Sequence, residues 1–259
     1  MSVTDDKFYH PRVTNRVELG PNLWIFRIRP EGEFTFAPGQ YATLGVENPD
    51  RKRQERPYSI VSSPLEDEIE FFLELVPHGD LTPLLYRLQP GDELLMRKSA
   101  KGRFTLDTQS GRTNHLLICT VTGVAPFVSY IRTFSRDWKA GKFSGEHRLF
   151  LINGASRSCE FGYFDELRKF AQEIPWFQYV PTISRPWDDQ TWMGETGRVD
   201  DILRKYADMW GISGSNSVAY LCGHPEMIEH SKGILKRVGF AKEFLREEFY
   251  WVPARAVAS

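Results

Sequence analysis

Leu116-Leu117-Ile118-Cys119-Thr120-Val121-Thr122-Gly123-Val124-Ala125-Pro126-Phe127 is the stretch on which the reading of this chain turns. Leu116 to Thr120 is a continuous apolar run, as a strand buried on both faces requires. Thr122-Gly123 then turns the chain, and Pro126 suits the first turn of a helix, where an amide hydrogen is not needed. Phe127, Tyr130, Ile131, Phe134 and Trp138 follow on one helical face. A turn of this kind, at the carboxyl edge of a parallel sheet, is where dinucleotides bind. With Gly123 as its one glycine, the loop also reads as a plain tight turn with Pro126 opening the helix.

Downstream the pattern repeats. Strands are expected at Arg148–Asn153, Phe177–Ile183 and Val218–Cys222, and helices around Phe164–Ala171, Val199–Tyr206 and Pro225–Val238. This is a βαβ series, an α/β parallel-sheet nucleotide-binding domain with right-handed crossovers expected. Cys222-Gly223-His224-Pro225 forms a second strand-to-helix turn like the one after Thr120. Its cysteine reads either as a structural thiol or as a group pressed against a flat ring.

Upstream the period is different. Apolar-rich runs at Val13–Leu19, Leu23–Ile28, Tyr41–Val46, Tyr58–Ser62, Ile69–Val76, Glu93–Arg97 and Arg103–Leu106 are short and broken by turn residues such as Gly20-Pro21-Asn22 and Pro90-Gly91-Asp92. Many short strands with regular turns predict an antiparallel Greek-key β-barrel. Gln109-Ser110-Gly111-Arg112-Thr113 is the polar joint, which places the barrel domain at 1–110 and the α/β domain at 111–259.

Composition limits the function. Basic and acidic residues number 33 and 34, a net charge of -1, so there is no electrostatic case for nucleic acid or an anionic membrane. Hydrophobic content of 41% against 26% charged is the balance of a water-soluble fold, and no apolar run is long enough to span a bilayer. With no signal-like core near Met1, cytoplasmic residence is expected; a monomer is expected as well. The three cysteines, Cys119, Cys159 and Cys222, are one short of the four that an all-cysteine iron–sulfur cluster requires. A cluster that exchanges electrons with this chain therefore belongs to another molecule or chain.

Several groups could carry chemistry. Arg56-Pro57-Tyr58-Ser59 places a permanent cation, an aromatic face and a hydroxyl in four residues at the mouth of the strand Tyr58–Ser62. An arginine forks onto phosphate, a tyrosine covers a flat heterocycle, and a serine hydroxyl bonds a ring nitrogen. Gly79-Asp80-Leu81-Thr82 precedes a short helix and reads either as an ordinary cap or as amides for the other side of a pyrophosphate. Arg157, Arg185 and Arg198 each follow a strand of the second half, which suits a doubly charged phosphate or a solvated surface. Glu247-Glu248-Phe249-Tyr250-Trp251 sets aromatics beside carboxylates, either in core packing or stacked on a cofactor.

In order and spacing, these motifs resemble the ferredoxin–NADP reductase family of bacterial type, over about residues 8–251. The carriers are Arg56-Pro57-Tyr58-Ser59, the Gly79–Thr82 turn, Thr122-Gly123-Val124-Ala125-Pro126-Phe127, Cys222-Gly223-His224-Pro225-Glu226-Met227 and Tyr250-Trp251. The resemblance implies an FAD-binding barrel followed by an NADP-binding domain. Arg56 is then expected at the FAD pyrophosphate, with Gly79, Leu81 and Thr82 opposite, and Pro57 among the residues that contact the cofactor. Tyr58 is expected along one flavin face and Ser59 near N5. Phe72, Leu73, Glu74, Leu75 and Val76 are expected to flank the ring through their backbone.

In the second half, the resemblance places Thr122 and Gly123 at the NADP pyrophosphate. Cys222, with Gly223, Pro225 and Met227, falls near the nicotinamide, and Arg157, Arg185 and Arg198 at the 2′-phosphate. Tyr250 is expected to shield the other flavin face until nicotinamide displaces it, Trp251 to stack on adenine, and Glu248 to relay a proton. Val121 stands where the family often has glycine. The implied activity is electron transfer between NADPH and a separate ferredoxin or flavodoxin, by hydride transfer at FAD N5. Other readings are the reductase component of an oxygenase, a free flavin reductase or, outside enzymes, a nucleotide-binding sensor.

Overall fold

The computed structural model describes residues 7–20, 22–47 and 53–250. Its contacts divide into two compact units. One takes the chain as far as Leu106 together with Ala125–Lys142, and the other takes Asp107–Val124 and the chain from Phe143 onward.

The first unit is built from β1 (Phe8–Tyr9), β2 (Arg12–Gly20), β3 (Leu23–Arg29), β4 (Tyr41–Glu47), β5 (Arg53–Ser59), β6 (Ile69–Glu74) and β7 (Leu95–Arg97), with a short helix α1 (Thr82–Arg87). They form antiparallel sheets in the orders β1-β7-β4-β5 and β2-β3-β6. In β3 the period of two puts Trp24, Phe26 and Ile28 in the core and leaves Arg27 and Arg29 outward. Each such large apolar side chain contributes about 1.5–3 kcal/mol on burial.

The two sheets close on each other at both edges. On one side Val13 N–H donates to Asp92 O at 2.9 Å and Leu94 N–H to Pro11 O at 3.1 Å. On the other, Ile60 N–H donates to Gln40 O at 3.0 Å and Val61 N–H to Glu70 O at 2.9 Å. The circuit β2-β3-β6-β5-β4-β7 is the expected Greek-key barrel.

Helix α2 (Ala125–Lys139) packs with this unit. Ser129 Oγ donates to Ser62 O at 2.7 Å, Thr133 Oγ1 to Ser63 Oγ at 2.9 Å, and the Tyr130 hydroxyl to Phe104 O. Glu70 is 2% exposed, and a lone carboxylate there would be costly. Arg27 at 2.6 Å and Arg132 of α2 at 3.0 Å hold its two oxygens.

Three expectations about this half need correcting. The strand that carries Arg56 is Arg53–Ser59, not Tyr58–Ser62, so the motif closes the strand instead of opening it. The polar residues Arg53, Gln54 and Glu55 belong to it because β5 is the edge of its sheet, where polar side chains reach water. After Ser59 the backbone leaves β4 and bonds to β6. Residues 103–106 form no ladder; Phe104 is buried against Phe127 and tied to Tyr130, so a helix replaces the strand partner. The strand expected from Glu93 begins at Leu95, with Glu93 only bridged to Arg12.

The second unit contains β8 (Asn114–Thr120), β9 (Arg148–Ala155), α3 (Phe164–Glu173), β10 (Phe177–Ile183), β11 (Glu195–Thr196), α4 (Val199–Met209), β12 (Ser217–Gly223), α5 (Pro225–Arg237) and β13 (Leu245–Phe249). Its sheet is parallel in the order β11-β10-β9-β8-β12-β13. Leu116, Ile118, Phe150, Ile152, Ala219 and Leu221 fill its centre. The strand order reverses between β8 and β12, so the turns after Thr120 and Gly223 lie side by side at the carboxyl edge. That is the switch point where ligands bind in open α/β sheets.

Candidate functional site

Within the barrel, β5 and β6 are the edges of their respective sheets, and the chain just after β5 joins them through Ile60 and Val61. Arg56, Pro57, Tyr58 and Ser59 line one, and Phe72, Leu73, Glu74, Leu75 and Val76 the other. Phe72 and Leu73 bury their side chains. The far end is marked by the Gly79–Thr82 turn, because Arg56 Nη2 lies 3.5 Å from Asp80 Oδ2.

Arg56 is exposed, with a second nitrogen donating to Glu55 O at 2.8 Å. Burial, opposed by the Arg56 cation, pushes the Tyr58 hydroxyl well above its ordinary range and keeps it neutral. Ser59 is 5% exposed. Leu81 is buried in the barrel core, and the Thr82 hydroxyl bonds Val76 N at 3.0 Å. Their remaining contribution is backbone amides at the start of α1, which have no intrahelical acceptor.

The second half-site lies at the carboxyl edge of the parallel sheet. Val121–Val124 makes a 3-10 turn directly after β8. A β-carbon on Gly123 would come within 2.3 Å of Cys222 O, so only glycine lets this turn lie against the end of β12. Gly223 has φ +125°, and a β-carbon there would come within 2.4 Å of Thr120 Oγ1. That same oxygen accepts from His224 N–H at 2.9 Å. Thr120, which the sequence reading did not single out, thus joins the two turns; its signal was a hydroxyl at the last position of a buried strand.

Cys222 is paired in register with Cys119 on one side and Glu248 on the other. Burial first, then the Glu248 carboxylate, push its thiol well up, so it stays protonated. Tyr250 meets the Cys222 sulfur and donates its hydroxyl to Thr122 O at 3.2 Å. Cys222, Glu248, Tyr250 and Thr122 are therefore brought together by β12 and β13. Pro225 and Met227 are buried in the first turn of α5, which His224 caps by accepting from Glu226 N–H at 3.3 Å. Trp251 lies outside the described residues.

The three arginines follow three adjacent parallel strands, β9, β10 and β11. Arg185 N–H donates to Ser156 O at 3.1 Å, which fastens the Arg185 loop to the residue before Arg157. Arg157 is half-exposed and lies 3.7 Å from Glu160 and 3.6 Å from Asp188. Arg198 precedes α4, where its amide donates to Asp201 at 3.1 Å. Asp188 is a second residue missed from sequence: an anion beside the expected phosphate site, in a loop with no periodicity to read.

Comparison with known proteins bears on both halves. Residues 10–106 match the oxidoreductase FAD-binding domain, and residues 117–233 match the oxidoreductase NAD-binding domain. With the barrel and the parallel sheet, these matches define the class, a flavin-dependent oxidoreductase that works with a nicotinamide dinucleotide. In both domains the chain is similar to the ferredoxin–NADP reductases.

It is similar to a ferredoxin–NADP reductase of Pseudomonas aeruginosa, 29% identical over 248 residues, covering 89% of this chain and 90% of that protein. It is also similar to the xylene/toluene monooxygenase electron transfer component of Pseudomonas putida, 24% identical over 245 residues, covering 92% of this chain and 64% of that one. Among solved structures, a ferredoxin NADP+ reductase from Neisseria gonorrhoeae with bound FAD and NADP shares the fold, with a TM-score of 0.82 and 23% identity, covering 95% of this chain and 100% of that chain.

The described residues fit FAD. An exposed arginine beside a helix start suits a pyrophosphate. A half-buried neutral tyrosine beside the edge of β6 suits a flat ring with hydrogen-bonding margins.

Proposed function

We propose that the chain transfers electrons between NADPH and a separate ferredoxin or flavodoxin, acting as a cytoplasmic monomer. The observation that carries this reading is the stacking of Arg157, Arg185 and Arg198 after three neighbouring parallel strands. NADH offers no charge at that position to offset the desolvation of arginines, whereas a 2′-phosphate does.

Bound FAD supplies the step from two-electron hydride chemistry to single-electron transfer. The chain's residues bind and orient. Arg56 and the amides before α1 hold the FAD pyrophosphate, Tyr58 lies along one face of the ring, and Ser59 presents its hydroxyl near N5. Backbone groups of Phe72–Val76 fix the ring margin. Thr122 and Gly123 take the NADP pyrophosphate, with Cys222, Gly223, Pro225 and Met227 around the nicotinamide. Burial keeps the Cys222 thiol protonated, so it offers an uncharged surface to that ring. Tyr250 stands over Thr122 and Cys222 and gives way when nicotinamide enters, while Glu248 exchanges a proton nearby.

The purified protein is expected to be yellow and to bleach when NADPH is added anaerobically; reduced ferredoxin or flavodoxin then reports the acceptor. A colourless protein that binds NADPH without turnover refutes the reading and leaves a sensor. The similarity to a monooxygenase electron transfer component favours a second reading, an oxygenase reductase, which the same acceptor panel separates by preference for an oxygenase partner.

A further inference from the structure

We propose that Val121 is a positioning residue for the dinucleotide: through a small apolar cluster it holds the Thr122-Gly123 turn in register with the loops that carry Arg157 and Arg185. The inference rests on NADPH being the ligand of that edge.

Val121 has φ 44°; among the described non-glycine residues only Asn22 shares a positive φ. Asparagine tolerates that region through local hydrogen bonding, but a β-branched side chain is a steric outlier there. Such a conformation persists only where its surroundings over-determine it. Here the surroundings are a cluster of Ala155, Phe161 and Ile183, with Phe164, Trp192 and Val121 packed against it.

The members of this cluster come from different loops. Ala155 ends β9 two residues before Arg157, and Ile183 ends β10 two residues before Arg185. Phe161 and Phe164 lead into α3 and stack with centroids 6.0 Å apart. Trp192 lies 5.6 Å from Phe161 and donates its indole N–H to Glu195 O at 2.8 Å. Polar contacts make the same loops one body: Glu160 accepts from Ser156 N–H at 2.9 Å, and Asp189 from Ser158 N–H at 2.9 Å.

The turn is thus held from two directions. Gly123 rests against Cys222 O and cannot shift toward β12, and Val121 ties the other side to the arginine loops. Glycine at 121 would adopt the same φ without strain but would lose the side chain that reaches the cluster. The pyrophosphate and the 2′-phosphate are tethered through one ribose, which limits their separation, so this registration bears on binding more than on chemistry.

The test compares wild type with Val121→Gly, Val121→Ala and Val121→Ile, using NADPH and NADH with ferricyanide as acceptor and a thermal melt of each. Val121→Gly and Val121→Ala are expected to keep FAD and raise KM for NADPH at least five-fold with kcat within two-fold. The preference for NADPH over NADH should narrow, and Val121→Ile should return KM to within two-fold of wild type. A melting temperature that moves while KM and cofactor preference stay fixed shows a merely structural role and overturns the proposal. So does an Ile variant as impaired as the Gly variant. A wild-type protein that oxidises no NADPH sinks the substrate reading and this inference with it, whereas normal wild-type turnover with an unmoved Gly variant sinks the inference alone.

Discussion

At the scale of single residues, the arginines show how a charge read from sequence acquires context. Arg157 approaches Glu160 and Asp188, so a 2′-phosphate bound as proposed would replace an existing, half-exposed ion pair. Such exposed pairs contribute little, which makes the exchange easy. Charged hydrogen bonds stabilise by about 1.5–3 kcal/mol each, with the Arg157 share discounted for its carboxylates. Replacing Arg157 and Arg185 together by alanine should weaken NADPH binding by about 2–4 kcal/mol, roughly 30- to 700-fold, with NADH affinity nearly unchanged. Equal losses for both dinucleotides in a fluorescence titration would remove the 2′-phosphate assignment. The arginines were legible because a cation after a buried strand has a predictable place. Asp188 was not, because loop pairings have no period.

At the scale of elements, two close approaches of backbone define the nucleotide edge. Gly123 against Cys222 O leaves no room for a methyl group. Gly123→Ala should destabilise the protein by about 1–3 kcal/mol through overpacking and weaken NADPH binding, while flavin absorbance is retained. A melt and a titration at wild-type values would show that the turn relaxes freely. The βα turns themselves were legible, since a buried parallel strand and a Pro-started helix announce each other. The barrel strands were less so. β5 was displaced by several residues because its first half is charged, and alternation fails as a guide on an edge strand with water on its open side. The role of β6 as a backbone edge comes from pairing, which no single strand encodes.

At the scale of the whole molecule, stability carries a pH dependence remote from the nucleotide edge. His115 is fully buried, its Nε2 3.0 Å from His147 Nδ1 and its ring beside Tyr220. Burial first, then His147, lower its pKa to about 3, against the opposing pull of Asp107. An unfolded chain holds this proton more tightly than the folded one, so stability is fully present above about pH 6.5 and is lost as pH falls toward 3. Between pH 7.5 and 5 the loss is about 2 kcal/mol, read as a lower urea midpoint. A His115→Gln variant should flatten that slope; an unchanged slope would assign it elsewhere.

The two units are also interleaved. The chain enters the second at Asp107, returns to the first at Ala125 and leaves it again at Phe143. Pattern reading places α2 correctly along the chain but is blind to which body its buried face joins. During synthesis, the barrel cannot receive Tyr130 and Arg132 until β8 has already been made and has no β9 or β12 to pair with. A buried strand must therefore wait, unpaired, while the helix behind it docks. The ribosome-bound chain passes through a stage in which Leu116, Leu117 and Ile118 are a candidate for chaperones, and a gene cut at residue 110 would sever the barrel from part of its own wall.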